Sequence, residues 1–210
     1  MQKTLLSLVL VSAALCAALT CSAQTLNDGQ AQLSQNPSDE ITRIHARKNA
    51  LKTTILSIGS GATKLTYERA FTPHFSTEVT AGRIGWGFDT LNHTQYSRGG
   101  LGKVAAKYTF ARVPAMDSWL TGIYLKSEFE YTNFNYLQKD ETVEKHTAES
   151  ALMCKIGYQI DFYHFVFDAF SGCGYAWGTG NDNDYFHGFL FYKGHQNFAI
   201  SMGFRIGFAF

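Results

Sequence analysis

Lysines and carboxylates recur at alternate positions through much of this chain, and they are the first candidates for chemistry. In Thr147–Phe162 the odd positions include Glu149, Lys155, Gln159 and Asp161. In Trp119–Tyr131 the even positions carry Tyr124, Lys126, Glu128 and Glu130, and Lys103 and Lys107 share one face of Leu101–Arg112. With Lys64, Glu68, Glu78, Asp168 and Arg205 they form a set of six positive and seven negative groups. Successive strand side chains point to opposite faces, so the whole set falls on one face of the elements that carry it. Buried ions left unpaired are costly, which predicts mutual pairing across a shared interior. The functional alternative is a narrow ion pathway. A perturbed carboxylate inside such a network is not by itself a catalytic sign.

The remaining reactive residues offer less. His74, His93, His146, His164, His187 and His195 fall in turns or loops, and none stands beside a serine so as to pair a nucleophile with a base. No catalytic residue, and no cofactor, is therefore expected. Asn181-Asp182-Asn183-Asp184, with His187 and His195 in the same loop, lacks the remaining ligands of a calcium loop and reads as a solvated turn, so no metal site is expected. Cys154 and Cys173 are separated by a Tyr163-His164 turn; if that turn is a two-residue hairpin, the thiols are cross-strand neighbours on the outward face. A disulfide in an oxidising compartment fits this placement. So do two small outward side chains, because strand-pair geometry can forbid the bond.

The elements that must position these groups are strands. Phe198, Ile200, Met202, Phe204, Ile206, Phe208 and Phe210 alternate with Ala199, Ser201, Gly203, Arg205, Gly207 and Ala209, giving one apolar and one small or polar face. Working back along the chain, strand-like runs cover Leu51–Ile58, Ala62–Phe71, Phe75–Phe88, Leu101–Arg112, Trp119–Thr132, Thr147–Phe162 and Phe165–Trp177. A change of outward parity between Val79 and Ile84 predicts a bulge near Gly82. Short turns near residues 73, 115 and 163 would lie at one end and longer loops near 95, 140 and 187 at the other. Aromatics gather at both ends: Phe71, Phe75, Phe110, Trp119, Phe162, Phe165 and Phe210 near the short turns, Trp86, Phe88, Tyr131, Tyr175 and Trp177 near the loops. Two such belts suit the two interfaces of a membrane.

Met1–Ala23 has the parts of a secretory signal: Lys3, an apolar run from Leu5 to Leu19, and small residues before Gln24. Its removal takes away Lys3 and no acid, so the 18 basic residues become equal in number to the 17 acidic ones. A neutral chain gives nucleic acid no electrostatic reason to bind. Gln24–Asn49 is polar and without alternation and is expected to be a periplasmic segment, with a short helix starting at Asn36-Pro37. Ala50–Phe210 is then one domain.

The amphipathic last strand ending in Phe210, and the alternation over nearly the whole mature chain, resemble Gram-negative outer-membrane β-barrels of the eight-stranded OmpA/OmpX type. Leu65-Thr66-Tyr67-Glu68-Arg69 before a short turn is similar to a segment common in such domains. The resemblance implies an all-β, up-and-down antiparallel transmembrane barrel in the outer membrane, reached through the inner membrane by a cleaved signal. It implies contact with outer-membrane lipids, and Phe208 and Phe210 as part of the signal read by the barrel-assembly machinery. It also implies a structural or surface-interaction role whose loop partner is unknown. The rival functions are a small-solute channel and a lipid-modifying barrel enzyme.

Overall fold

The chain divides into two compact units, Met1–His45 and Ala46–Phe210, and the computed structural model describes residues 47–89, 94–112, 118–138, 143–178, 191–193 and 197–210. The signal segment, the Asn36-Pro37 helix start, His93 and the Asn181–Asp184 loop with His187 and His195 lie outside the described residues.

Alternation becomes strand almost throughout. β1 is Asn49–Thr54, followed by a single helical turn, α1, at Ile55–Gly59. Then come β2 (Ser60–Ala70), β3 (Phe75–Asp89), β4 (Thr94–Arg112) and β5 (Gly122–Gln138). After these come β6 (Glu144–Phe162), β7 (Phe165–Gly178), a three-residue β8 (Phe191–Lys193) and β9 (Phe198–Ala209). Every strand pairs antiparallel with its sequence neighbour, β7 with β9, and β9 back to β1, closing a ring of eight; β8 attaches only to β9. The fold is a closed eight-stranded up-and-down barrel. An even strand number brings both chain ends to one end of the ring, where Asn49 and Phe210 exchange backbone hydrogen bonds of 3.0 and 2.9 Å.

Two tight turns at that end share one device. Tyr163 and His164 both have positive φ, 48° and 75°, which matches the twist of a two-residue hairpin. His164 accepts the Ala209 N–H at its backbone carbonyl, while its Nδ1 lies 2.9 Å from the Ala209 carbonyl and its ring stacks on Phe208. His74 does the same to the next hairpin, with Thr109 in place of Ala209 and Tyr108 in place of Phe208. Each histidine thereby fastens a turn to the end of the neighbouring strand.

Three expectations are corrected. Leu51–Ile58 is not one strand: the chain leaves the sheet after Thr54 and makes α1, in which Ile55 and Leu56 are exposed. The face of β3 does not switch at Gly82. Ile84 is buried in step with Ser76, Glu78 and Thr80, and the break comes at Gly85, whose φ of +93° suits glycine alone, with the β2 register shifting between Ile84 and Asp89. Trp119 is not part of an outer belt. β5 starts only at Gly122, whose φ of +146° lets the chain come out of an inward turn, and Trp119 packs against Ala50, Ala70, Leu120, Val166 and Ala209.

The faces are those of a barrel turned inside out relative to a water-soluble one. Outward lie Leu65, Val79, Val104, Phe110, Leu125, Phe129, Ile156, Phe167, Met202 and Phe208, all exposed. Inward lie seven basic and seven acidic side chains, all buried. So broad an apolar exterior is not what an aqueous surface tolerates.

Candidate functional site

The barrel interior is stacked in three tiers. At the short-turn end Ala50, Ala70, Leu120, Val166 and Ala209 form an apolar floor. At the loop end Ala62, Ile84, Leu101, Phe134, Tyr136, Ala151, Met153, Ala176 and Ala199 form an apolar ceiling. Between them the charges meet. Eight strands leave an interior just wide enough for side chains to fill, so long lysine and arginine side chains from opposite walls reach common carboxylates.

Glu78 on β3 is the principal anion. It accepts from Lys52 at 2.7 Å, Lys126 at 2.8 Å and Arg205 at 3.0 and 3.3 Å, the last as a two-pronged pair. Lys52 on β1 is its counterpart among cations, donating also to Glu68 at 2.7 Å and to Asp168 and Gln159 at 3.1 Å. Lys107 bridges Glu68 and Gln159, and Tyr124 donates its hydroxyl to Asp168 at 2.6 Å, where Arg205 also pairs. Nearer the loops, Glu128 gathers Lys155, Lys126 and Lys103, and Lys103 pairs more closely with Glu130 at 2.6 Å. The Phe170 ring is the apolar partner of this tier: Lys126, Lys155 and Arg205 all hold their charges 4.8–5.1 Å from its centre.

The structure therefore brings Lys103, Lys107, Lys126, Glu128, Glu130, Lys155, Asp168 and Arg205 into one web. Two others of the anticipated set stand apart. Asp161 lies at the short-turn end, paired with Arg47 at 2.7 Å, and its backbone N–H donates to Thr121 Oγ1. Glu149 is buried towards the loops, and neither its Oε1 nor that of Glu130 has a hydrogen-bond partner among the described residues. Cys154 and Cys173 are directly opposed across β6 and β7, exposed and both free thiols. Phe208 stacks on His164, and Phe210 closes on Asn49 through its backbone.

Sequence reasoning left out Lys52, which raises the buried cations from six to seven and makes the interior formally neutral. The signal was present: Ala50, Lys52 and Thr54 alternate with Leu51 and Thr53. Tyr124 and Gln159 were on the correct faces but carry no charge to mark them as network members. His74, His146 and His164 lie in exposed positions, and no group of His, Cys, Asp and Glu able to hold a metal occurs among the described residues.

Among solved structures, the chain is similar to the crystal structure of the N-terminal β-barrel domain of Pseudomonas aeruginosa OprF, at 11% identity and a TM-score of 0.45. That similarity covers 79% of this chain and 98% of the other. No family model and no curated protein matches.

Proposed function

We propose that this protein is a non-enzymatic barrel of the Gram-negative outer membrane, with a structural or surface-interaction role and a lumen that does not conduct. The observation that carries the reading is the inversion of its faces: exposed aliphatic and aromatic side chains outside, neutralised ions inside. Each half of that pattern needs the other. An apolar exterior is stable in hydrocarbon, where the closed ring pairs the strands along almost their whole length and α1 covers the gap beside Ser201–Phe204. The floor and ceiling close the two ends of the interior, so most of its ions satisfy one another. The belts, the signal segment and the Phe210 ending support delivery to the outer membrane and recognition by the assembly machinery there.

The test is to refold the mature chain into a planar bilayer and measure current. A closed lumen gives no steady conductance, and ohmic single-channel steps would refute it. Gel mobility before and after boiling reads the membrane assignment separately. A folded barrel runs differently from the boiled chain, whereas a product recovered folded and monomeric from the aqueous periplasm would overturn the location.

A further inference from the structure

The barrel wall is thin at one place. β9 pairs with β1 only over Arg205–Ala209 and with β8 only over Phe198–Ile200, so on that side Ser201–Phe204 have no strand partner among the described residues. α1 covers the interval. Behind it lies a cavity of about 350 Å³, a size at the lower end of small-molecule sites. Leu56 and Met202 line this cavity and are also 57% and 49% exposed, so these two side chains on α1 and β9 stand between the space and the outer surface.

The chemistry of the inner wall is lopsided. Lys64, Lys103, Lys155 and Arg205 line it against a single carboxylate, Glu128. Glu128 is already shared by Lys103, Lys126 and Lys155. Lys64 is only 7% exposed, and the carboxylates whose charge it feels, Glu130 and Glu128, are already bonded to Lys103 and Lys155. Arg205 Nε is buried without an acceptor. Lys103 is paired with Glu130, Lys155 with Glu128, and Arg205 with Glu78 and Asp168, so the cation left over at this cavity is Lys64, and the unsatisfied carboxylate oxygens, on Glu130, Glu149 and Asp161, belong to residues that do not line it. A desolvated cation without a counter-ion is unfavourable, and an anion held beside it removes that cost.

We propose that this cavity binds an anionic amphiphile, its carboxylate or phosphate head beside Lys64 and its hydrocarbon chain leaving between Leu56 and Met202. The exit of the chain rests on the reading that the outer surface meets lipid; the anion site itself does not. Only a molecule with both parts matches the two ends of the space, cationic within and apolar at the mouth.

The experiment uses the refolded mature chain in a zwitterionic detergent, with calorimetric titration of oleate, methyl oleate, lysophosphatidate and inorganic phosphate. Oleate, lysophosphatidate or both should bind one per barrel, at least about tenfold tighter than methyl oleate, the scale of one charge-assisted contact. The tighter of the two acids identifies the preferred head. Equal binding of oleate and methyl oleate would overturn the proposal, as would inorganic phosphate binding as tightly as either acid. Lys64→Met should lower the affinity for the preferred acid about tenfold or more, and Leu56→Trp, which crowds the mouth from outside, should lower it with Lys64 intact. Unchanged affinity in both variants would sink the idea, and the wild-type ligand series reads the site even where a variant does not refold. If the chain proved soluble without detergent, the membrane reading would fall while the comparison of acid with ester would still report on the site.

Discussion

Glu78 holds three cations at once, so its loss exposes more than one buried charge. Removing one partner of a buried pair costs about 3–5 kcal/mol. Glu78→Ala should therefore lower the unfolding free energy of the refolded barrel, read from its urea transition, by an amount in or above that range, with a lower urea midpoint. Lys64 makes no comparable contact, and Lys64→Met, which deletes a lone buried charge and keeps the volume, should leave the midpoint unchanged or raise it. Equal loss in the two variants would contradict the arrangement of partners. Gly157 offers a subtler probe: a methyl there would run into the Tyr124 ring and push its hydroxyl away from Asp168. Gly157→Ala should destabilise although it adds only one carbon, because the Tyr124 ring and the Ala169 carbonyl oxygen both crowd the new methyl; an unchanged unfolding free energy would show that the register leaves room there. The charged positions could be read from sequence because period-two alternation marks a face whatever the details of pairing. Tyr124 and Gly157 could not be read as a pair, since their contact crosses from β5 to β6 and depends on register.

At the scale of elements, the longest and best-paired strands are β4, β5 and β6, and the poorest-paired in the ring is β1, with five rungs to β2 and five to β9 and, beside β9, a gap covered by α1. Amides of β1, and those of Ser201–Phe204 that point towards α1, should exchange with deuterium faster than amides in the middle of β5 and β6, because local opening follows local pairing. Uniform protection around the ring would show the seam to be as firm as the rest. This seam is also where sequence reading failed. Ile55-Leu56-Ser57-Ile58 is rich in residues that favour strand, and nothing within the run announces a helical turn, although β9 continues past Arg205 and would have offered Ser201–Phe204 for pairing. Gly85 is a similar case. A parity change in the sequence correctly implied an irregularity in β3, but only a backbone angle, φ +93°, placed it three residues beyond Gly82. Trp119 was misplaced because an aromatic at the edge of an apolar run looks the same whether it faces lipid or a floor.

For the molecule as a whole, Phe210 is proposed to serve recognition by the assembly machinery, yet its backbone also pairs with Asn49 in both directions and accepts from the Asn49 side chain at 3.3 Å. Those two functions separate experimentally. Phe210→Ala keeps the backbone bonds and should slow assembly in cells while leaving refolding into detergent or lipid intact. Deleting Phe210 should impair both, and equal behaviour of the two variants in refolding would show that the backbone pairing contributes nothing. The architecture was legible from sequence because lipid outside and paired ions inside write the same alternation on every strand. The closure was less so, because it joins segments about 160 residues apart, and no local pattern records a partner at that distance. That closure has a consequence for the order of assembly. Lys52 lies on the first strand, and its carboxylate partners Glu68, Glu78 and Asp168 lie on β2, β3 and β7. A sheet curled but not yet joined at its edges would lack the Lys52–Asp168 and Arg205–Glu78 pairs, which reach across the joint, so zipping the two edges together and completing the interior network are one event, and a half-closed intermediate has less to stabilise it.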